Sequence, residues 1–305
     1  MSRIILTALL ISVLSVTFPV SPTSAQPLKV GYTSKTIFFL PLFAAQKKGF
    51  YDAEDLKVEL IHMGSRAVDV QALVAGQIHI SNINPDGIII VNEKGANLKA
   101  IAGMINGVAY TLVGGKAYKK LEDIRGTRLG VSSLKGGPTT FLLEYLRAKG
   151  LVYPRDYSMV LVSGGTPARL AALESGTVSA AVLGVPQSDM ALDRGFNRLG
   201  DVLDVLPTFQ FTTVNVNPTW AEKNRASVVK FLKAHIRSLS WIHDHLDEAA
   251  DLMTREMGIK PPYARRGVEY FTAKGLFPKD GAITMEGMKV NIEVQARDGL
   301  ISPPL

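Results

Sequence analysis

The 305-residue chain contains no cysteine. That excludes a disulfide framework, a thiolate metal site, a catalytic thiol and a lipidated N-terminal cysteine. Its five histidines form no H-E-x-x-H pair, and three of them fall on one C-terminal helical stretch, where His243 and His245 cannot share a helix face. No G-x-G-x-x-G follows a strand, no G-x-x-x-x-G-K-[ST] loop is present, and G-x-S-x-G is missing. A dinucleotide site, a phosphate loop and a hydrolase elbow are therefore not expected. Charge of neither sign dominates: 34 Lys and Arg against 27 Asp and Glu give a diffuse +7, which favours anionic small ligands and says little for nucleic acid.

Only one long apolar run exists, at the start. Arg3, an apolar stretch over 4–20 and a polar segment ending Thr23-Ser24-Ala25 have the layout of a secretory peptide. Ser12, Ser15, Thr17 and Pro19 interrupt the run, leaving it short of the roughly 20 residues a membrane span needs. We expect cleavage after Ala25, a product that is still basic, and export to the periplasm without a lipid anchor.

What the rest of the chain has is alternation. Strand patterns at 28–33, 56–63, 78–81, 98–105 and 110–114 are separated by helical patterns at 41–50, 65–75 and 85–94. Asn84 and Ser65 stand at cap positions and Gly49, Gly76 and Gly95 at stops. A second unit repeats the layout: strands at 128–131, 159–162 and 180–183, helices at 138–149, 167–174 (Thr166 as cap) and 186–194, then an extended segment at 211–216. The remainder, from 218 on, is helical. This pattern predicts an α/β protein of two doubly wound lobes with parallel sheets flanked by helices, the helical C-terminus packing back on lobe one. Residues 26–115 and 210–305 are assigned to lobe one and 116–209 to lobe two, with crossings near 114–120 and 206–211.

Ligands of open α/β sheets sit beyond the carboxyl ends of the strands. The loops there, 33–40, 64–66, 81–84, 132–140, 163–166 and 184–186, are rich in Ser, Thr, Asn and Gly. With helix N-termini behind them they suit a carboxylate or sulfonate. In VSSLKGGPTT (131–140) the glycines allow close backbone approach, while Thr139 and Thr140 line the helix start; an ordinary capped turn would look the same. Phe38 and Phe39, near Tyr32, could wall an apolar ligand body or pack in the core, and Arg66 and Lys35 are candidate charged anchors.

Four stretches carry a family likeness: LKVGYTSKTIFFLPLFAAQKKGFYDAEDLKVEL, LVAGQIHIS, LEDIRGTRLGVSSLKGGPTTFLLEYLRAKGL and ALESGTVSAAVLGVP. In this order and spacing the chain resembles the periplasmic solute-binding proteins of nitrate/sulfonate/taurine-type ABC importers, the group related to thiamine-pyrimidine synthase proteins. The likeness runs from about Leu28 to Phe211. It implies a two-lobed periplasmic binding protein of type II, a small-molecule ligand between the lobes, an ABC permease of the inner membrane as partner, a monomer, no cofactor and no chemistry on the ligand. Carried over, Thr33, Ser34, Phe38, Phe39, Ser65, Asn82 and Asn84 would contact ligand from lobe one, and Ser132, Gly137, Thr139, Gly165 and Val185 from lobe two. The chain departs from many members in having His79 and Ser179 where an acidic residue is common, so its ligand cannot be copied from the named substrates. An enzyme on the same fold, a pyrimidine-precursor synthase or a small dehydratase, is the alternative. The synthase relatives carry a cysteine-rich motif and work in the cytoplasm. A transcription-regulator effector domain would need a helix-turn-helix where this chain has an export segment.

Overall fold

The computed structural model describes residues 26–134 and 137–302; the expected export segment, and Gly136 of the 131–140 turn, lie outside the described residues. Two five-stranded sheets form the scaffold. In the first, β1 (Leu28–Tyr32) pairs in parallel with β2 (Val58–His62) and β3 (Ile80–Ile83). β10 (Gln210–Val216) is inserted antiparallel between β3 and β4 (Lys99–Asn106). In the second, β6 (Arg128–Val131) pairs in parallel with β7 (Ser158–Leu161) and β8 (Ala180–Gly184). β5 (Tyr110–Gly114) then runs antiparallel between β8 and β9 (Asn197–Asp201).

The sheets are thus mixed rather than parallel, for a topological reason. Strands β1–β3 and β6–β8 run toward the gap between the lobes. The strand that arrives from the other lobe starts at that gap and must run away from it. β10 does this in the first sheet and β5 in the second. It follows that residues 110–114 belong with the second sheet, not with lobe one as the sequence suggested. The first crossing lies between Asn106 and Tyr110, ahead of the expected 114–120. β5, β8 and β10 are buried along their whole length, as central strands covered on both faces must be.

Helices cover these sheets and point their first turns at the gap. In lobe one these are α1 (Leu40–Lys47), α2 (Arg66–Val74) and α3 (Asp86–Glu93). In lobe two they are α4 (Pro138–Ala148), α5 (Gly165–Glu174) and α6 (Gln187–Asp193). The repeat is visible in detail: α2 stops at Gly76 (φ +70°) before β3, and α5 stops at Gly176 (φ +72°) before β8. Both turns need the left-handed backbone that glycine adopts without strain.

The C-terminal helices are α7 (Pro218–Lys223), α8 (Arg225–Asp244), α9 (Leu246–Met257), α10 (Pro261–Ala273) and α11 (Met285–Arg297). α8 and α9 pack on α1, and α11 lies on β10. There a Cβ at Gly287 would stand 2.5 Å from the Gln210 amide nitrogen. The C-terminus also reaches lobe two: Arg266 pairs with Asp193 of α6, Arg297 with Glu144 of α4, and Asp298 with Arg147. Among the described residues, no helix is long and apolar enough to cross a membrane.

Candidate functional site

Between the lobes lies a cavity of about 540 Å³, within the size range of small-molecule sites. Lobe one supplies Thr33, Ser34, Phe38, Phe39, Ser65, Arg66 and Asn84; lobe two supplies Ser132, Gly137 and Gly165. All ten were candidates from the sequence, and the fold brings them to one wall-lined space. Three candidates stand elsewhere. Asn82 is inside β3, where its Nδ2 donates to the Gly31 carbonyl. Thr139 is buried in α4 and donates to the Ser133 carbonyl, so it shapes the turn rather than facing the cavity. Val185 is buried beside Gly267 at the joint between the lobes. Lys35 is exposed and is not part of the lining.

Three helix N-termini converge. Ser65 caps α2, its Oγ accepting from the Val68 amide at 3.3 Å. The backbone at Gly164–Gly165 opens α5, and Gly137 (φ +60°) opens α4. Such termini concentrate roughly half a positive charge each. Thr166, expected as a cap, instead turns its hydroxyl to the Arg169 guanidinium at 3.2 Å.

Arg169 is the charged lining residue that the sequence reading missed. It is 1% exposed and lines the cavity. Its Nε donates to the Val182 carbonyl at 2.9 Å and its Nη2 to Thr166, while Nη1 has no partner among the described residues. The Tyr110 hydroxyl lies beside it; burial raises the Tyr110 pKa and lowers that of Arg169. No carboxylate pairs with this guanidinium among the described residues. Such a charge is costly to hold in the interior unless something negative arrives. Asn84 Nδ2, also in the lining, is a second buried donor without a partner. Both of these lining atoms are N–H donors, so the lining offers itself to an acceptor; Asp86 Oδ1, behind Arg66 and outside the lining, is a buried acceptor without a partner among the described residues.

The second cation, Arg66, is already neutralised. Its Nη1 pairs with Asp86, which also accepts from the Gly137 amide across the gap at 2.8 Å. The apolar wall is aromatic: Phe38 packs on Phe211, Tyr110 and Phe271 with centroids 4.9, 5.4 and 5.6 Å away. Phe38 and Phe39 are therefore both core and lining. Toward the mouth, Leu134 and Leu161 are 57% and 56% exposed.

The histidines stay out of the site. His79 accepts from the Lys29 amide and stacks on Trp220; His235 bonds the Gly103 carbonyl and His243 that of Phe277. Among the described residues no cluster could hold a metal ion. Ser179, the other departure, donates to the Tyr118 hydroxyl at 3.0 Å.

The profile of the family described as "NMT1/THI5 like" matches residues 37–249. The chain belongs to this family. Among its curated relatives is the Bacillus subtilis (strain 168) protein named "Putative binding protein YtlA", 25% identical over 72% of this chain and 66% of its own length. Another, from the same organism, is named "Putative aliphatic sulfonates-binding protein" and is 25% identical over 70% of this chain and 65% of its own. The matches thus span just under two thirds of those relatives. Solved structures share the fold of periplasmic binding proteins. The alkanesulfonate-binding protein SsuA from Xanthomonas axonopodis pv. citri, bound to MOPS, has a TM-score of 0.72 at 18% identity, covering 92% of this chain and 94% of that one. The periplasmic nitrate-binding protein NrtA from Synechocystis PCC 6803 has a TM-score of 0.74 at 14% identity, covering 90% and 82%.

Proposed function

We propose that the protein is the extracytoplasmic solute-binding component of an ABC importer, capturing a small organic monoanion between its lobes. It would hand the ligand chemically unchanged to an inner-membrane permease. The observation that carries this reading is Arg169: a buried guanidinium with a free N–H, at a cavity whose other orphaned lining atom among the described residues, Asn84 Nδ2, is also a donor. The carboxylate or sulfonate head of the ligand takes the place of the missing counterion, beside Thr166 and the helix N-termini. The aromatic wall around Phe38 covers its apolar body. Closure is stabilised because ligand touches both lobes at once and so binds the closed state better than the open one. Relatives named for binding sulfonates, and a nitrate-binding structural neighbour, fit an anion as cargo.

The test is a thermal-shift screen of the mature chain against carboxylates, sulfonates, nitrate, amines and neutral pyrimidines, with mass spectrometry of the recovered ligand. Small monoanions should raise the melting temperature and be recovered intact. Stabilisation by cationic or neutral compounds alone, or turnover of the ligand, would overturn the proposal.

A further inference from the structure

The features of the cavity that could hold a second negative group are already taken by a residue of the protein. Asp86 is 2% exposed. Its Oδ2 receives both the Arg66 guanidinium and the amide of Gly137, the N-cap of α4. A guanidinium and a helix N-terminus are the usual partners of a bound carboxylate or sulfonate. Here one internal carboxylate occupies both. Among the described residues, the charged side chains lining the cavity are Arg66 and Arg169; Asp86 stands just behind Arg66, outside the lining, its Oδ1 a buried acceptor without a partner, and Arg169 is left uncompensated.

We propose that Asp86 is a specificity-determining residue that restricts the site to ligands with one negative charge. It does so by neutralising Arg66, by filling the α4 N-terminus, and by repelling any second anionic group brought near them. The proposal rests on the cleft being an anion site and adds what that reading leaves open, the number of charges the site accepts. At separations of several ångströms and an effective dielectric of about 20, one unit charge just behind the wall shifts affinity by about tenfold or more for each charge on the ligand.

The experiment titrates matched pairs by calorimetry: benzoate against the three benzenedicarboxylates, and propanesulfonate against propane-1,3-disulfonate. Wild type should bind a monoanion at least about tenfold more tightly than its dianionic partners. In Asp86→Asn, Arg66 and the Gly137 amide become available, and the ratio should move toward the dianion by about tenfold or more. Asparagine keeps an acceptor for Gly137, and the wild-type comparison stands even if the variant folds poorly. Equal wild-type affinity for both members of a pair would overturn the proposal. So would an Asp86→Asn variant that weakens both equally, the behaviour of a residue that only fastens the lobes together. Should no member of either pair bind wild type, the anion reading of the cleft fails first and this inference with it.

Discussion

At the scale of single residues, two buried titratable groups work against each other. Asp69, under β1 and bonded by Ser81, has its pKa pushed up from 3.8 to about 7 by burial. Its fold-stabilising form is the protonated one, so its contribution is complete below about pH 4 and is lost as the pH rises toward 7. His235 is held neutral, burial lowering its pKa from 6.5 to about 4. Its contribution is complete above 6.5 and is lost as the pH falls toward 4. Between pH 4 and 6.5 the two slopes oppose. In Asp69→Asn only the histidine slope remains. Urea midpoints taken from pH 4.5 to 7.5 should therefore rise with pH more steeply than in wild type, then level off; parallel curves would contradict this assignment. The same scale shows where sequence reading stops. Arg169 was invisible as a site residue because an arginine is ordinarily a surface cation. Its one clue is position: Arg169 shares a helix face with Thr166, Leu170 and Leu173, all buried. Asp86 gave no clue either, because its partners, Arg66 and Gly137, lie 20 and 51 positions away.

At the scale of elements, apolar periodicity and glycine stops located most strands and helices to within a few residues, since each is set by local pattern and by the turn that ends it. Two features escaped. β9 reads Asn-Arg-Leu-Gly-Asp, with little apolar alternation to mark it, and it forms only because β5 offers it an edge. The sheet that β5 joins is decided by its partners, which no local pattern encodes. Packing of α11 on β10 depends on closeness that only glycine allows. Gly287→Ala would press a methyl against the backbone at Phe209 and Gln210. We expect about 2–4 kcal/mol of destabilisation, seen as an early loss of structure on heating. An unchanged melting curve would mean that α11 is not seated there as described.

At the scale of the whole molecule, five of the six loops, far apart in sequence, converge because both sheets direct their parallel strands at one gap; the 184–186 loop lies at the joint instead. That convergence was legible from the repeated layout, and it brought Thr33, Ser34, Ser65, Asn84, Ser132, Gly137 and Gly165 to one cavity. Asn82, Thr139 and Val185 missed it because they point into the sheet, the helix turn and the joint that support the loops. The lobes meet through the buried bond from Gly137 to Asp86, and through Arg266 with Asp193 and Arg297 with Glu144. The molecule is thus held around a space whose one uncompensated lining charge among the described residues is Arg169. The most direct test is calorimetric titration of a small monoanion, such as benzoate or propanesulfonate, into wild type and Arg169→Met. Wild type should bind one ligand per chain. The variant should bind roughly a hundredfold more weakly or not at all, with a ligand-free melting temperature unchanged or raised, because an unpaired buried charge has been removed. Equal affinity in the two proteins would contradict the account.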